Sequence, residues 1–257
     1  MPSPARRSDP DETSVAAVIP LHKPKLVVAH GRGGSGKSTV LRYLAERAQD
    51  AGREIVIADA DRTNATLAAF FEGVVRPEHG EEVIVADWLD ALGNQQAEEQ
   101  LTVLLDMGGG DQVFGRFARE VQLAELMAGA GVVPVALHCI GTDLDDLAYL
   151  RSVEEAGAFC PEATVLLLNE GVIRDGRPRD AAFSGVRAHP IFRKALERGA
   201  REVWFPRLPC MQAVNDGRLL FGKAEALPSF GLTNRQRVVM WRRAVEEALL
   251  PVREWMP

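Results

Sequence analysis

A chain of 257 residues, 46% of them apolar, can bury a full core as one α/β domain, or at most two small ones. Its formal charge of −6 argues against wholesale coating of nucleic acid but leaves room for a local basic patch. Cys139, Cys160 and Cys210 are far apart and form no CxxC pair, so disulfide frameworks, zinc sites and iron–sulfur sites lack support and buried thiols are expected.

Residues 1–24 are rich in Pro, Ser and Asp and read as a disordered N-terminal arm, with a short apolar piece at Val15–Leu21. That piece is too short for a secretory signal, and no run approaches the ~18 apolar residues that span a bilayer. The expectation is a cytoplasmic protein without a membrane segment. From residue 25 to 257 short β-branched runs alternate with helical patterns, the mark of parallel βαβ units. Strands are expected at 25–30, 54–59, 101–106, 132–140, 164–169 and 202–205. Several are apolar nearly throughout, as strands covered on both faces must be. Residues 83–86, "VIVA", fit an edge strand or a loop leading into a helix-like stretch at 87–100.

Helical periodicity falls at 36–51, 115–129, 143–157 and 190–199. A last helix at 234–249 has a capping-box spacing at Thr233 and Gln236, and an apolar stripe of Val238, Trp241, Val245, Ala248 and Leu249. Its four arginines (235, 237, 242 and 243) suit a core-docked helix with a solvated basic face better than a membrane or DNA helix. With no internal repeat and no second core, one α/β domain is expected: a mostly parallel central sheet with helices on both faces.

The chemistry begins at "HGRGGSGKSTV". A strand, the pattern G-x-x-x-x-G-K-S over Gly31–Ser38 and then a helix form the context in which such a loop holds nucleotide phosphates. Gly33, Gly34 and Gly36, with Ser35 between them, let backbone N–H groups curl round the phosphates, and the helix start adds its positive end. Lys37 is placed to reach the β- and γ-phosphates, Ser38 to hold Mg2+ and Thr39 to bond the α-phosphate. Two further carboxylate sets end buried strands, where open α/β sheets place their ligands. Asp59 and Asp61 end "IVIADAD"; Asp106, suited to the magnesium shell, ends "TVLLD" and precedes Gly108–Gly110.

Arg32-Gly33-Gly34-Ser35-Gly36-Lys37-Ser38-Thr39 resembles the deviant Walker A motif of the ParA/MinD ATPases, K-G-G-x-G-K-[ST]-[ST]. Asp59-Ala60-Asp61 with Asn64 resembles their D-x-D segment, and 101–110 their Walker B. "DADRTNAT", "LLDMGGG" and the closing "LTNRQRVVMWRRAVEEAL" look most like the conjugal-transfer TraL proteins. The resemblance implies an ATP-dependent homodimer with ATP/ADP and Mg2+ as ligands. It gives Arg32, in place of the family's lysine, the role of the cation that crosses to the partner's phosphates. It gives Asp61 the attacking water, Asn64 and Thr66 the first switch, in which Arg62 replaces the common proline, and Ser38, Asp59 and Asp106 the metal.

Asn169 ends "TVLLLN", where this family uses an Asn amide to read adenine; a simple turn residue is the other reading. A guanine site of the N-K-x-D type needs lysine at Glu170 and an acid at Val172, so ATP is favoured over GTP. "PRLPCMQAV" resembles the family's loop after the last core strand and sets Pro209 near the base. The leading function is therefore a slow ATP-hydrolysing dimer switch in plasmid conjugal transfer, its partner protein unnamed. The alternative is a DNA-segregation ATPase. Between Gly171 and Arg207 nine Lys/Arg face four Asp/Glu, an excess able to touch DNA phosphates. A small-molecule kinase or ligase is disfavoured because it has no need of a trans cation.

Overall fold

The computed structural model describes residues 23–61, 66–108, 112–174 and 176–257. Among these residues six strands form one sheet: β1 (Lys25–His30), β2 (Val56–Asp59), β3 (Val103–Asp106), β4 (Val133–Ile140), β5 (Ala163–Asn169) and β6 (Arg201–Phe205). Their spatial order is β2-β3-β1-β4-β5-β6, and every pair is parallel. Parallel neighbours need crossovers, and the intervening helices supply them. Chain order reverses between β1 and β4, so the loop after β1 opens at the switch point of the sheet.

Alternation along each strand divides the core. Val27 and Ala29 point to one face, where they meet Leu41 and Leu44 of α1 (Lys37–Asp50) and Trp241 and Val245 of the last helix. Leu26 and Val28 point to the other, against Val85 and Leu89 of α2 (Glu82–Glu99) and Phe114 and Phe117 of α3 (Val113–Glu120). Beyond β4 that second face continues through Leu166 and Leu168 to α5 (Ala148–Ala156), α6 (Arg179–Ala182), α7 (Ser184–Ala188) and α8 (Pro190–Glu197).

Several expectations are corrected. Residues 83–86 are neither edge strand nor loop but the first turns of α2, in which Val85, Leu89, Leu92 and Gln96 are buried at helical spacing. The helix expected at 115–129 breaks into α3 and α4 (Leu123–Gly129), because Gln122 adopts a left-handed φ of 48° between them. The 143–157 helix opens as a 3-10 turn over Leu144–Leu147, with Asp143 and Asp146 forming its capping box. Short helices α9 (Met211–Asp216) and α10 (Phe221–Ala226) precede the last helix, α11 (Leu232–Leu249).

The expected cap of α11 fails. Gly231 is its N-cap, at φ 82°, and Thr233 lies inside the helix. The apolar stripe does dock: Val238, Trp241, Val245 and Leu249 are buried, with Ala248 packed beside them. Arg242 pairs with Asp50 and Glu225, and Arg235 donates to Glu225 O, so two of its four arginines serve the fold rather than solvent. Residues 1–22 of the expected arm lie outside the described residues. Pro24, its last residue, is tied to the sheet through Val133 N→Pro24 O at 2.8 Å. Cys139 and Cys210 are buried as expected, whereas Cys160 is only half-buried.

Candidate functional site

The loop between β1 and α1 is shaped by glycines. Gly31, Gly34 and Gly36 have φ of 143°, 83° and 100°, values that L side chains rarely adopt. A Cβ on Gly31 would collide with Cys139 O, whereas Gly33 and Gly34 have open space beside them. Gly36 caps α1, and Lys37, Ser38 and Thr39 form its first turn, so their backbone N–H groups have no intrahelical partner. Lys37 is buried and folds back, donating from Nζ to Gly31 O at 3.1 Å and Arg32 O at 3.5 Å. Its ammonium is thus held at the loop mouth.

The two aspartate sets converge on this loop. Ser38 Oγ donates to Asp106 Oδ2 at 2.7 Å. Asp59 and Asp106 are register partners on β2 and β3, so their carboxylates leave the sheet side by side. Asp59 Oδ1 accepts from Asp61 N at 3.0 Å. Among the described residues, Asp59 Oδ2 and Asp106 Oδ1 are buried with no hydrogen-bond partner. Burial raises the pKa of Asp106 to about 6 against the opposing Ser38 hydrogen bond and Lys37 charge, and burial also raises that of Asp59. Two buried carboxylate oxygens without donors, beside a serine hydroxyl, are the oxygen donor set a hard cation such as Mg2+ takes. The residues present therefore fit a magnesium-bound phosphate chain: Ser38, Asp106 and Asp59 on the cation side, Lys37 and the loop N–H groups on the phosphate side.

Asp61 lies against Gly108, where an added Cβ would stand 3.6 Å from Asp61 Oδ1. The ends of β2 and β3 thus bring Asp61 to the same edge as the loop. Asn64, Arg62, Gly109 and Gly110 lie outside the described residues; Thr66 is exposed and precedes a 3-10 turn over Leu67–Ala69. Sequence reading missed Arg76, which donates to Asp61 O at 2.8 Å and Asp59 O at 3.4 Å and so clamps this turn. No motif flags it, since it reaches the turn through the pairing of Val75 beside β2.

Arg32 is exposed, and two cavities of about 660 Å3 each flank it and Gly33. One runs between α3 and α5 past Arg116, Arg119 and Tyr149; the other faces Asp143, Arg174 and Arg177. Asn169 is buried at the end of β5, with Nδ2 donating to Ser35 O at 2.8 Å and Oδ1 accepting from Gly171 N at 2.9 Å. Pro209 is exposed in the loop after β6. Four of the nine cations of the basic stretch 171–207 are paired internally: Arg179, Arg187, Arg198 and Arg201 pair with Glu170, Glu202, Glu154 and Glu254.

Beneath the loop, His30 and His138 are register partners on β1 and β4 and both are buried. His30 stacks on Tyr149 with ring centroids 4.6 Å apart, and among the described residues neither of its ring nitrogens has a hydrogen-bond partner.

An all-parallel sheet with a glycine-rich phosphate loop at its switch point defines a P-loop α/β domain. No protein-family model and no curated protein matches the sequence. Among solved structures, the fold is similar to the septum site-determining protein MinD of Pyrococcus horikoshii, complexed with Mg-ADP. Identity there is 16% and the TM-score 0.52, over 90% of this chain and 98% of that one. It is also similar to a chain of the MinC:MinD cell division protein complex of Aquifex aeolicus, at 11% identity and TM-score 0.51, over 87% of this chain and 96% of that one. The domain therefore has a MinD-like fold. Among the described residues no helix is long and apolar enough to cross a membrane.

Proposed function

We propose that this chain binds ATP with Mg2+ at the loop 31–39, hydrolyses it slowly, and pairs with a second copy while ATP is bound. The observation that carries the reading is the Ser38–Asp106 hydrogen bond beside the unpartnered oxygens of Asp59 and Asp106. These groups fit a cation, and the adjoining loop with Lys37 fits the phosphates that the cation would bridge. The MinD of the same fold, complexed with Mg-ADP, is in keeping with this ligand.

In this reading Lys37 anchors the β- and γ-phosphates, the N–H groups of Gly33–Thr39 cradle them, and Asp61 orients the attacking water. Arg32 serves the partner's nucleotide. ATP rather than GTP follows from Glu170 and Val172, which stand where guanine recognition needs a lysine and an acid, and Pro209 borders the base. The resemblance of "DADRTNAT", "LLDMGGG" and the closing helix to TraL proteins directs the switch to plasmid conjugal transfer in the cytoplasm. The alternative, DNA segregation through 171–207, is disfavoured because four of the nine cations there are already paired with glutamates.

The experiment is calorimetric titration of ATP into wild type and Lys37→Ala. Loss of a hydrogen bond to a charged group is worth roughly 1.5–3 kcal/mol, so affinity should fall by about tenfold to a hundredfold. Unchanged affinity would overturn the phosphate-loop assignment.

A further inference from the structure

The structure assigns a second role to Asn169: we infer that it is a positioning residue that locks the phosphate loop in its binding shape, whatever base the nucleotide carries. The inference rests on the phosphate-loop reading above and deepens it.

Asn169 belongs to β5, which stands two strands from β1, and 134 residues separate it from Ser35. Its side chain nevertheless ends on the loop. Both halves of the amide are engaged by the backbone: Nδ2 by Ser35 O at 2.8 Å, Oδ1 by Gly171 N at 2.9 Å. The orientation is therefore fixed, because a flipped amide would set a donor against the Gly171 N–H and an acceptor against the Ser35 carbonyl.

The bonded oxygen belongs to the Ser35–Gly36 peptide. In a trans peptide the C=O and N–H point in opposite directions. Holding Ser35 O against Asn169 therefore turns the Gly36 N–H the other way, toward the mouth that Lys37 and the first turn of α1 face. That is the direction from which a phosphate oxygen is bound. Gly36 itself is adapted to the contact. Its φ of 100° disfavours a side chain, and a Cβ there would collide with Asn169 Nδ2. The other bonds bracing the loop are Ser35 N→Arg32 O at 3.2 Å and Lys37 Nζ to Gly31 O and Arg32 O, with Val40 N→Gly36 O at 3.1 Å beginning the helix, and none of these holds Ser35 O. Without Asn169 the Ser35–Gly36 peptide is free to rotate, and the nest of N–H groups must be assembled when the ligand arrives. Such reordering reduces affinity.

A base reader and a loop brace are separated by a ligand that has no base. Inorganic tripolyphosphate, ATP and GTP are titrated into wild type and Asn169→Ala. The brace predicts an equal loss for all three, about threefold to tenfold, as for one net hydrogen bond. It also predicts faster hydrogen exchange at the Ser35 and Val40 amides, whose bonds to Arg32 O and Gly36 O flank the braced peptide, while the strands keep their protection. Asn169→Asp retains the acceptor for Gly171 N–H and removes the donor to Ser35 O; it should show the same local exchange, which keeps the test decisive should the alanine variant unfold. Loss of ATP affinity with tripolyphosphate binding unchanged overturns the inference in favour of base reading. Unchanged binding of all three ligands overturns it as well. Wild type that binds none of them overturns the phosphate-loop reading, and this inference with it.

Discussion

Ser38 Oγ and Asp106 Oδ2, 68 residues apart in sequence, are joined at 2.7 Å by a hydrogen bond between the first turn of α1 and the end of β3. The bond aligns two oxygens and, among the described residues, leaves Asp106 Oδ1 buried without a partner. Ser38→Ala and Asp106→Asn should both leave residual nucleotide binding and abolish its dependence on magnesium. In wild type, Mg2+ should tighten ATP binding at least about tenfold over EDTA, the scale of one lost hydrogen bond to a charged group. Titrations with and without the metal decide it; a magnesium effect undiminished in both variants removes these residues from the metal site.

Exposure of Arg32 at the loop mouth makes the dimer test direct. Asp61→Ala should bind ATP, turn it over poorly and accumulate as a dimer. Arg32→Ala should still bind ATP, because Lys37 and the backbone cradle remain, but should stay monomeric. Two triphosphates facing each other across a closed interface repel unless cations lie between them. Light scattering with and without ATP reads both variants. ATP-driven dimerisation of Arg32→Ala at wild-type level would reduce that arginine to an ordinary loop residue.

The proposed preference for adenine is tested where β5 ends. Glu170 pairs with Arg179 at 3.0 Å, and Val172 packs against the neighbouring apolar cluster, so neither is placed to read guanine. ATP and ADP should bind at least about tenfold tighter than GTP and GDP, or ~1.4 kcal/mol, the penalty for leaving a buried polar group unpaired. Competition between the two nucleotide series is the measurement, and equal affinities would refute the preference.

The buried histidines give the fold a pH dependence. Desolvation, with Arg198 adding to it, lowers the His138 pKa from 6.5 to about 3; the rings of His30 and Tyr149 also face it. The folded chain therefore keeps His138 neutral at pH values where the unfolded chain protonates it. Its contribution to stability is complete above pH 6.5 and is lost as pH falls toward 3. Between pH 7.5 and 5 that loss amounts to about 2 kcal/mol. His138→Phe should remove this part of the slope. Urea unfolding of both proteins at the two pH values isolates it, since the burial shifts at His30, Asp59, Asp106 and Glu46 are present in both; parallel pH dependences would show that His138 is not buried neutral.

Local chemistry made much of this legible in advance. Six β-branched runs are the six strands, shifted by a residue or two, because a strand covered on both faces must be apolar throughout. The loop 31–39 was readable because only glycines accept its positive φ values, and Lys37 and Ser38 follow them at fixed spacing. The reading failed where local pattern admits two answers. "VIVA" has strand composition, yet Val85 is buried while Val83 is exposed, and their place in a helix depends on packing against β3 and α3. Thr233 and Gln236 have the spacing of a cap, but Gly231 with its positive φ already starts the helix.

What the sequence determined by itself was the set of parts: parallel strands, a phosphate loop, and aspartates at two strand ends. Their assembly was decided by the order β2-β3-β1-β4-β5-β6, which no local pattern encodes. Only that order puts Asp106 beside Ser38 and His138 beside His30, and brings Asn169 within reach of the loop. Arg42 shows the same limit: a charged residue on α1 becomes buried because Phe70 and Phe221 close on its guanidinium from distant parts of the chain, each ring centred 4.2 Å away. The physical reason is range. Backbone preference and hydrophobic period act over a few residues, whereas a hydrogen bond or a ring contact depends on which strands the completed sheet makes neighbours.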